Sequence, residues 1–134
     1  MKTDIPFFEF SSKVIRYAFG ILFILVAVKK FRMGLGGFAD SLIKADNLIA
    51  QEIPAILLLA YGYIIPWMEL FAGAALFSKK HVYSGYKVIA LIYLSFIFGQ
   101  MYNLNTSKIG TEYFPSLILL MLGYYSHQMT LKKA

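Results

Sequence analysis

Residues 53–77 read IPAILLLAYGYIIPWMELFAGAALF, and Glu69 is the only charged residue among them. A helix over these 25 residues would be about 37 Å long, whereas the hydrocarbon core of a bilayer is about 30 Å thick. The stretch is therefore long enough and apolar enough to cross a membrane. It predicts a transmembrane helix that carries one carboxylate inside the bilayer, and the other apolar stretches are interpreted around it.

Glu69 is the most informative residue of this stretch, because lipid offers no water to a carboxylate and ionisable side chains inside a span usually face protein or a wet cavity. Gly62, Pro66 and Gly73 share its helix face at spacings of three and four residues. Such small residues let a neighbouring helix approach closely. Two interpretations remain open: Glu69 is a proton, ion or ligand site, or it forms a buried ion pair that joins two helices.

Composition predicts an integral membrane protein. Of the 134 residues, 59% are apolar and 15% are charged, whereas soluble domains average about 45–50% and about 25%. This length predicts a single domain over residues 1–134. The chain has no cysteine, which excludes thiol–disulfide chemistry and iron–sulfur clusters carried by this chain alone.

The basic residues, which give a formal net charge of +6, lie mostly at the ends of the apolar stretches. There, Lys and Arg meet anionic lipid head groups. Lys29, Lys30 and Arg32 close the first stretch, and we expect them to contact lipid phosphates. The sequence has no basic strip with interleaved aromatic residues, so membrane lipids and not nucleic acid are the predicted partners.

Four spans are predicted, at about residues 13–28, 53–77, 88–103 and 113–129. They define an all-α fold, an integral membrane four-helix bundle. The connector between the first two spans begins with a glycine cluster and continues with a weakly amphipathic segment. This pattern predicts a short interfacial helix between spans one and two.

The distribution of Lys and Arg predicts the orientation of these spans. Four spans place both termini on one side, and more Lys and Arg lie on that side than on the other. By the positive-inside rule, the termini are expected in the cytoplasm.

Arg16, Glu69 and His127 then share the cytoplasmic half of the membrane and form a predicted polar cluster. Arg16 lies about one turn inside the first span, where it either extends to the head groups or pairs with Glu69, since guanidinium and carboxylate match as a fork. His127 lies near the end of the fourth span and is either a proton carrier or a passive interfacial residue.

Four further side chains are candidates for lining a ligand pocket: Trp67, Tyr93, Gln100 and Asn103. Trp67 is deeper in its span than an interfacial belt residue, so its indole N–H needs a partner. The other three follow one stripe of the third span, where polar side chains either hydrogen-bond across helices or line the mouth of a pocket. The sequence contains no metal-ligand or cofactor motif, so no metal site is predicted.

Several of these residues also follow a family pattern. Its first span has an Arg near the start and, at the end, Gly-x-x-Lys followed by a bulky apolar residue. A Phe in the connector, a Pro opening the second span and Glu-x-x-x-Gly within that span complete the pattern. The corresponding positions are Arg16, residues 27–31 (AVKKF), Phe38, Pro54, Glu69 and Gly73. Over about residues 13–103 the chain resembles the DoxX-like family of small four-span membrane proteins, which includes DoxD and MauE as relatives. Ala27 stands where the family has Gly.

The resemblance implies a redox-associated protein of the bacterial cytoplasmic membrane. Some members of the family look like partners of thiosulfate:quinone oxidation, and others like partners of oxidative-stress or thiol enzymes. Because this chain has no cysteine, electron chemistry would reside in a partner or in a bound quinone.

Three functions are compatible with these observations. The favoured one is an accessory subunit of a larger, redox-linked membrane assembly, without enzymatic activity of its own and with other membrane subunits as partners. The second is a quinone-interacting oxidoreductase subunit, in which Trp67 and Tyr93 wall the ring and Glu69 or His127 exchanges protons. The third is a small transporter of lipophilic or ionic solutes, gated by Arg16 and Glu69. A quinone or a lipid is the expected bound group.

Overall fold

A computed structural model describes residues 4–104 and 106–132, and within these ranges the chain is helical and contains no β-strand. The predicted all-α fold is confirmed. In chain order the helices are α1 (Asp4–Arg32), α2 (Leu35–Lys44), α3 (Leu48–Glu52), α4 (Ala55–Phe77), α5 (Val82–Tyr102), α6 (Thr106–Lys108) and α7 (Phe114–Lys132), with a π-helical turn (Ile109–Tyr113) between α6 and α7.

Two helices in the described part of the chain, α4 and α5, are long and apolar enough to cross a membrane, with 23 and 21 residues. They cover most of the predicted second span, 53–77, and third span, 88–103. The first and fourth spans, which fall in α1 and α7, stay predictions.

α1 extends beyond the predicted first span at both ends. Pro6 lies in its first turn, where a missing N–H does no harm. The helix ends just before Gly34, which has a positive φ of 88°, a conformation that glycine adopts without strain. The 29 residues of α1 correspond to a length of about 43 Å.

α1 and α4 pack closely through two glycines. A Cβ atom at Gly73 would lie 2.8 Å from the carbonyl oxygen of Gly20. Further along, Phe31 of α1 contacts Trp67 of α4, so the two helices run antiparallel. The face of small residues around Glu69 therefore lies against α1.

Aromatic side chains fill the space between the four long helices. Phe19 and Phe23 of α1 meet Tyr93 of α5 edge-on, with ring centroids 6.4 and 5.7 Å apart. Leu76 of α4 and Leu120 of α7 are buried in the same cluster. The core therefore draws on all four long helices.

The connector between α1 and α4 contains two helices, α2 and α3, where one short helix was predicted. The chain is extended at Ala45, between them. Asn47 then caps α3, since its side chain accepts a hydrogen bond of 2.9 Å from the Ala50 N–H.

Both connector helices are attached to the long helices. α2 packs so closely on α4 that a Cβ atom at Gly62 would lie 2.6 Å from the Cα atom of Ala39. α3 is held to the end of α5, because the Ile49 N–H donates to Asn103 Oδ1 at 3.0 Å. These contacts place α2 and α3 beside the N-terminal half of α4 and leave a space between them and α5.

Candidate functional site: a lysine–glutamate pair beside a chamber

Glu69 is fully buried in α4, with 0% of its surface exposed, and its Oε1 accepts a hydrogen bond from Lys30 Nζ at the end of α1. The two groups form an ion pair between helices, and the Lys30 side chain is 14% exposed. The predicted pairing of Glu69 with Arg16 is therefore wrong. The transporter gate that depended on that pairing is not formed.

The direction of helical side chains explains why Lys30 is the partner. The part of α1 that faces Glu69 lies between Gly20 and Phe31. Side chains on a helix slant toward its N-terminus. Arg16 therefore extends away from Glu69, whereas Lys30 reaches back toward it.

The three cations at the end of α1 have different surroundings. Lys29 and Arg32 are exposed, and for them contact with lipid head groups stays a prediction. Lys30 turns inward to Glu69, so its predicted role as a head-group contact is wrong.

The Lys30 ammonium also lies near two aromatic rings. Its Nζ is 4.6 Å from the centroid of Phe38 and 5.5 Å from that of Phe96, distances at which a ring face attracts a cation. The second oxygen of Glu69, Oε2, is buried and has no hydrogen-bond partner among the described residues. The pair thus retains an unused acceptor, and an ammonium group has three N–H donors.

A cavity of about 560 Å³, here called the chamber, is bounded by α2, α3, α4, α5 and the turn before α7, with Lys30 in its wall. Most of the wall is apolar, and a few polar groups project from it. The apolar part includes Phe38, Ile49, Leu58 and Phe96, and the polar part includes Lys30, Asn47, Tyr61, Ser95, Gln100, Asn103 and Lys108. Small-molecule sites have this character and volumes of about 300–1,000 Å³.

Hydrogen bonds between elements hold the wall of the chamber. The hydroxyl groups of Tyr61 in α4 and Ser95 in α5 are 2.8 Å apart and share a hydrogen bond. The Tyr102 hydroxyl at the end of α5 donates to the carboxylate of Glu52 in α3. These hydrogen bonds join α4 and α3 to α5 at the chamber.

The π-helical turn contributes Tyr113 to the chamber. The turn ends two residues before Pro115, which has no N–H to donate to the carbonyl of Thr111 and so favours a widened turn. Single π-helical turns within helices occur frequently at functional sites.

Of the four predicted lining residues, Gln100 and Asn103 line the chamber and the other two do not. Tyr93 is buried in the aromatic core. Trp67 is 46% exposed on the outer surface of α4, where its ring meets Phe31 edge-on at 4.9 Å.

Sequence reasoning missed Phe96 as a lining residue. A signal for it exists, because Phe96, Gln100 and Asn103 lie four and three residues apart and therefore share one face of α5. It is the same stripe of the third span that carries the polar candidates Gln100 and Asn103.

The structure brings Arg16 and His127 together, away from Glu69. Both line a smaller pocket of about 280 Å³, here called the Arg16 pocket, which also includes Glu9, Ser12, Lys13 and Lys79. It lies where α1 begins, α4 ends and α7 ends, whereas Lys30 and the chamber lie toward the other end of α1. His127 is buried there against Tyr83, with ring centroids 5.0 Å apart.

Within residues 4–104 and 106–132, no group of three or more His, Cys, Asp or Glu side chains is placed to hold a metal ion.

Comparison with known proteins identifies the family. A family model described as methylamine utilisation protein MauE matches residues 9–111. The matched region contains Arg16, Lys30 and Glu69 and extends from α1 into the π-helical turn. This confirms the resemblance in its broad form, through MauE rather than DoxX itself. No curated protein and no solved structure matches the chain.

Proposed function

Because the chain belongs to the family of methylamine utilisation protein MauE, we propose that it is an accessory membrane protein of a redox-linked bacterial assembly. The family match over residues 9–111 carries this proposal. The chain has no cysteine, so any thiol–disulfide exchange in such an assembly belongs to a partner subunit.

The outer surface of the helices supports a place in lipid among other subunits. Ile56 and Phe71 on α4 and Leu91 and Phe98 on α5 are exposed. Monomeric soluble proteins rarely expose apolar side chains in large contiguous patches. In a bilayer these side chains contact acyl chains or neighbouring helices, so we expect subunit contacts on these outer faces.

In this proposal α1 and α7 also cross the membrane, which gives four spans. The termini and the 78–81 loop face the cytoplasm, and α2 and α3 lie at the opposite surface of the bacterial inner membrane. The excess of Lys and Arg on the terminal side supports this orientation.

Purification of the tagged chain from its native membrane in a mild detergent tests the subunit proposal. Mass spectrometry should find one or more redox-associated chains at a constant ratio to it. Phe71→Ala on α4 and Ile118→Ala on α7 change exposed residues of two helices that do not pack on each other, and a partner bound to one face should be lost from one variant and retained by the other. A chain that purifies alone, and whose deletion leaves the redox activities of the membrane unchanged, would contradict the proposal.

A second candidate function, binding of a quinone, is favoured by the position of Lys30. Its ammonium group lies in the wall of a mostly apolar chamber, between two aromatic rings. A quinone carbonyl accepts hydrogen bonds, and its ring suits an apolar, aromatic wall. In this role the chain would be the quinone-interacting membrane subunit of an oxidoreductase, with Lys30 as the donor to the ring carbonyl.

Quinone content, measured by solvent extraction and mass spectrometry of the purified protein, tests this second function. Lys30→Met should retain roughly tenfold less quinone, because a hydrogen bond from a charged donor contributes about 1.5–3 kcal/mol. Lys29→Met, which changes the exposed neighbour, is the matched control. Gly99→Leu, which places a side chain in the chamber, is the alternative variant for this test if Lys30→Met does not accumulate. Absence of quinone from the wild type, or equal content in all variants, would exclude this function.

A further inference from the structure

The Arg16 pocket combines several positive charges from separate parts of the chain. Lys13 and Arg16 come from α1 and Lys79 from the 78–81 loop, and Glu9 is the acidic residue on the same lining. Three basic side chains therefore share the lining with one carboxylate. This excess of positive charge favours an anion as the occupant.

Arg16 itself is placed to bind such an anion. It is 8% exposed, and its Nη2 donates to the Tyr17 hydroxyl at 3.0 Å. Its Nε, in contrast, is buried and without a hydrogen-bond partner among the described residues. A guanidinium has five N–H donors, and leaving a buried charged group unsatisfied is costly. An anion in the pocket would supply the missing acceptors.

The geometry of the donors indicates the class of anion. Arg presents its N–H groups as a planar fork that matches phosphate and carboxylate oxygens, whereas Lys acts as a point charge. The combination of one Arg with two Lys and the buried Ser12, which also lines the pocket, suits a group with several anionic oxygens. A phosphate has more such oxygens than a carboxylate.

We propose that the Arg16 pocket binds a phosphate-type anion, the chemistry shared by a phospholipid head group and free phosphate. This assignment is independent of the chamber and of the proposed redox role. The apolar side chain of Leu131, which lines the pocket, is exposed, and the acyl chains of a bound lipid would lie against it. The lipid is therefore the source that the structure favours.

Binding is measured on the whole protein by native mass spectrometry, after equilibration with mixed micelles that contain equal amounts of phosphatidylglycerol and phosphatidylcholine. The wild type should retain phosphatidylglycerol preferentially. Lys79→Gln should weaken this retention about fivefold, since each Lys near an anionic lipid surface contributes about that factor. Lys80→Gln changes the adjacent exposed lysine, which does not line the pocket, and should leave retention unchanged.

A second arm distinguishes the two sources of phosphate. Inorganic phosphate is titrated against the thermal stability of the delipidated protein, with sodium chloride at equal ionic strength as the control. Stabilisation by inorganic phosphate that Lys79→Gln reduces, without preference for phosphatidylglycerol, would retain the site and assign it to free phosphate. The proposal is overturned if neither phosphate source binds, or if Lys79→Gln and Lys80→Gln have equal effects on both.

Discussion

Lys30 and Glu69 neutralise each other inside the bundle, so each becomes destabilising without the other. We expect Lys30→Met to lower the free energy of unfolding by about 3–5 kcal/mol, because it leaves a buried carboxylate unpaired. The double variant Lys30→Met/Glu69→Leu removes both charges and should recover most of this loss. Unfolding by heat or denaturing detergent, measured on purified protein, compares the wild type, the single variants Lys30→Met and Glu69→Leu, and the double variant.

Lys29→Met is the control for this series. It changes the exposed neighbour of Lys30, and its effect should stay within about 0.5 kcal/mol. If the double variant loses as much stability as the two single variants together, the two side chains are not energetically coupled.

Trp67, the only tryptophan of the chain, reports directly on the outer face of α4. Because its side chain is 46% exposed beside other apolar residues, we expect it to contact lipid in reconstituted vesicles. Its fluorescence should be quenched strongly by lipids brominated on the acyl chain and weakly by acrylamide in the water phase. The reverse order would place this face of α4 in water.

At the residue scale, the sequence predicts that Glu69 is buried but not which cation it meets. A lysine in a row of three cations at the end of a span has the same local pattern whether it faces lipid head groups or the interior. The choice depends on the antiparallel packing of α1 and α4 and on the slant of their side chains. Neither is visible in the local pattern around Lys30.

At the scale of the helices, the contact between α1 and α4 depends on glycine. A Cβ atom at Gly73 would lie 2.8 Å from a backbone oxygen of α1, so Gly73→Ala requires the helices to move apart. We expect a loss of about 1–3 kcal/mol, as for other overpacked sites. Gly110→Ala is the matched control, because nothing lies within 4 Å of its added Cβ. Equal unfolding midpoints for the two variants would show that this crossing tolerates a side chain.

The connector depends on a similar close contact. Gly62→Ala would bring a Cβ atom within 2.6 Å of the α2 backbone at Ala39, so α2 should separate from α4 and the 33–52 connector should become more sensitive to protease. Limited proteolysis with mass spectrometry locates the cleavages, with Gly110→Ala again as the control. Unchanged cleavage in Gly62→Ala would mean that α2 adjusts without leaving α4.

Hydrophobic runs predict the centres of the long helices well and their ends poorly. α5 begins at Val82, before the apolar run starts, because a helical backbone can extend through polar residues on either side of an apolar run. α1 likewise extends to the turn at Gly34. The division of the connector into α2 and α3 depends on contacts with α4 and α5, which are distant in sequence.

The four-span arrangement of the whole molecule is testable because the chain has no cysteine. Single cysteines can be placed at exposed positions of three connections by Gln51→Cys, Lys80→Cys and Glu112→Cys. Intact cells that produce each variant are then treated with a membrane-impermeant maleimide. Gln51→Cys and Glu112→Cys should react, and Lys80→Cys should react only after the membrane is permeabilised. Equal labelling of all three from outside would contradict the topology.

At the scale of the whole molecule, the sequence predicts an all-helical chain and its family. It also predicts one polar cluster, whose residues belong to two separate sites in the structure. The predicted cluster of Arg16, Glu69 and His127 rests on their positions in the cytoplasmic half of the predicted spans. The structure separates them, since Glu69 pairs with Lys30 and the other two line the Arg16 pocket. The two sites lie toward opposite ends of α1, because the position of a residue within its own span does not fix which residue of a neighbouring helix lies at the same level.

The Lys30–Glu69 pair also bears on how the protein is made. Synthesis proceeds from the N-terminus, so α1 leaves the ribosome before α4 and Lys30 is already present when Glu69 arrives. An acidic residue at the centre of a span raises the free energy of its transfer from the translocon into lipid by about 2.5–3.5 kcal/mol. If α1 waits beside the translocon, the carboxylate can meet its countercharge before it enters lipid. Biogenesis of α4 would then depend on α1, and a chain that lacks Lys30 would fail first at insertion.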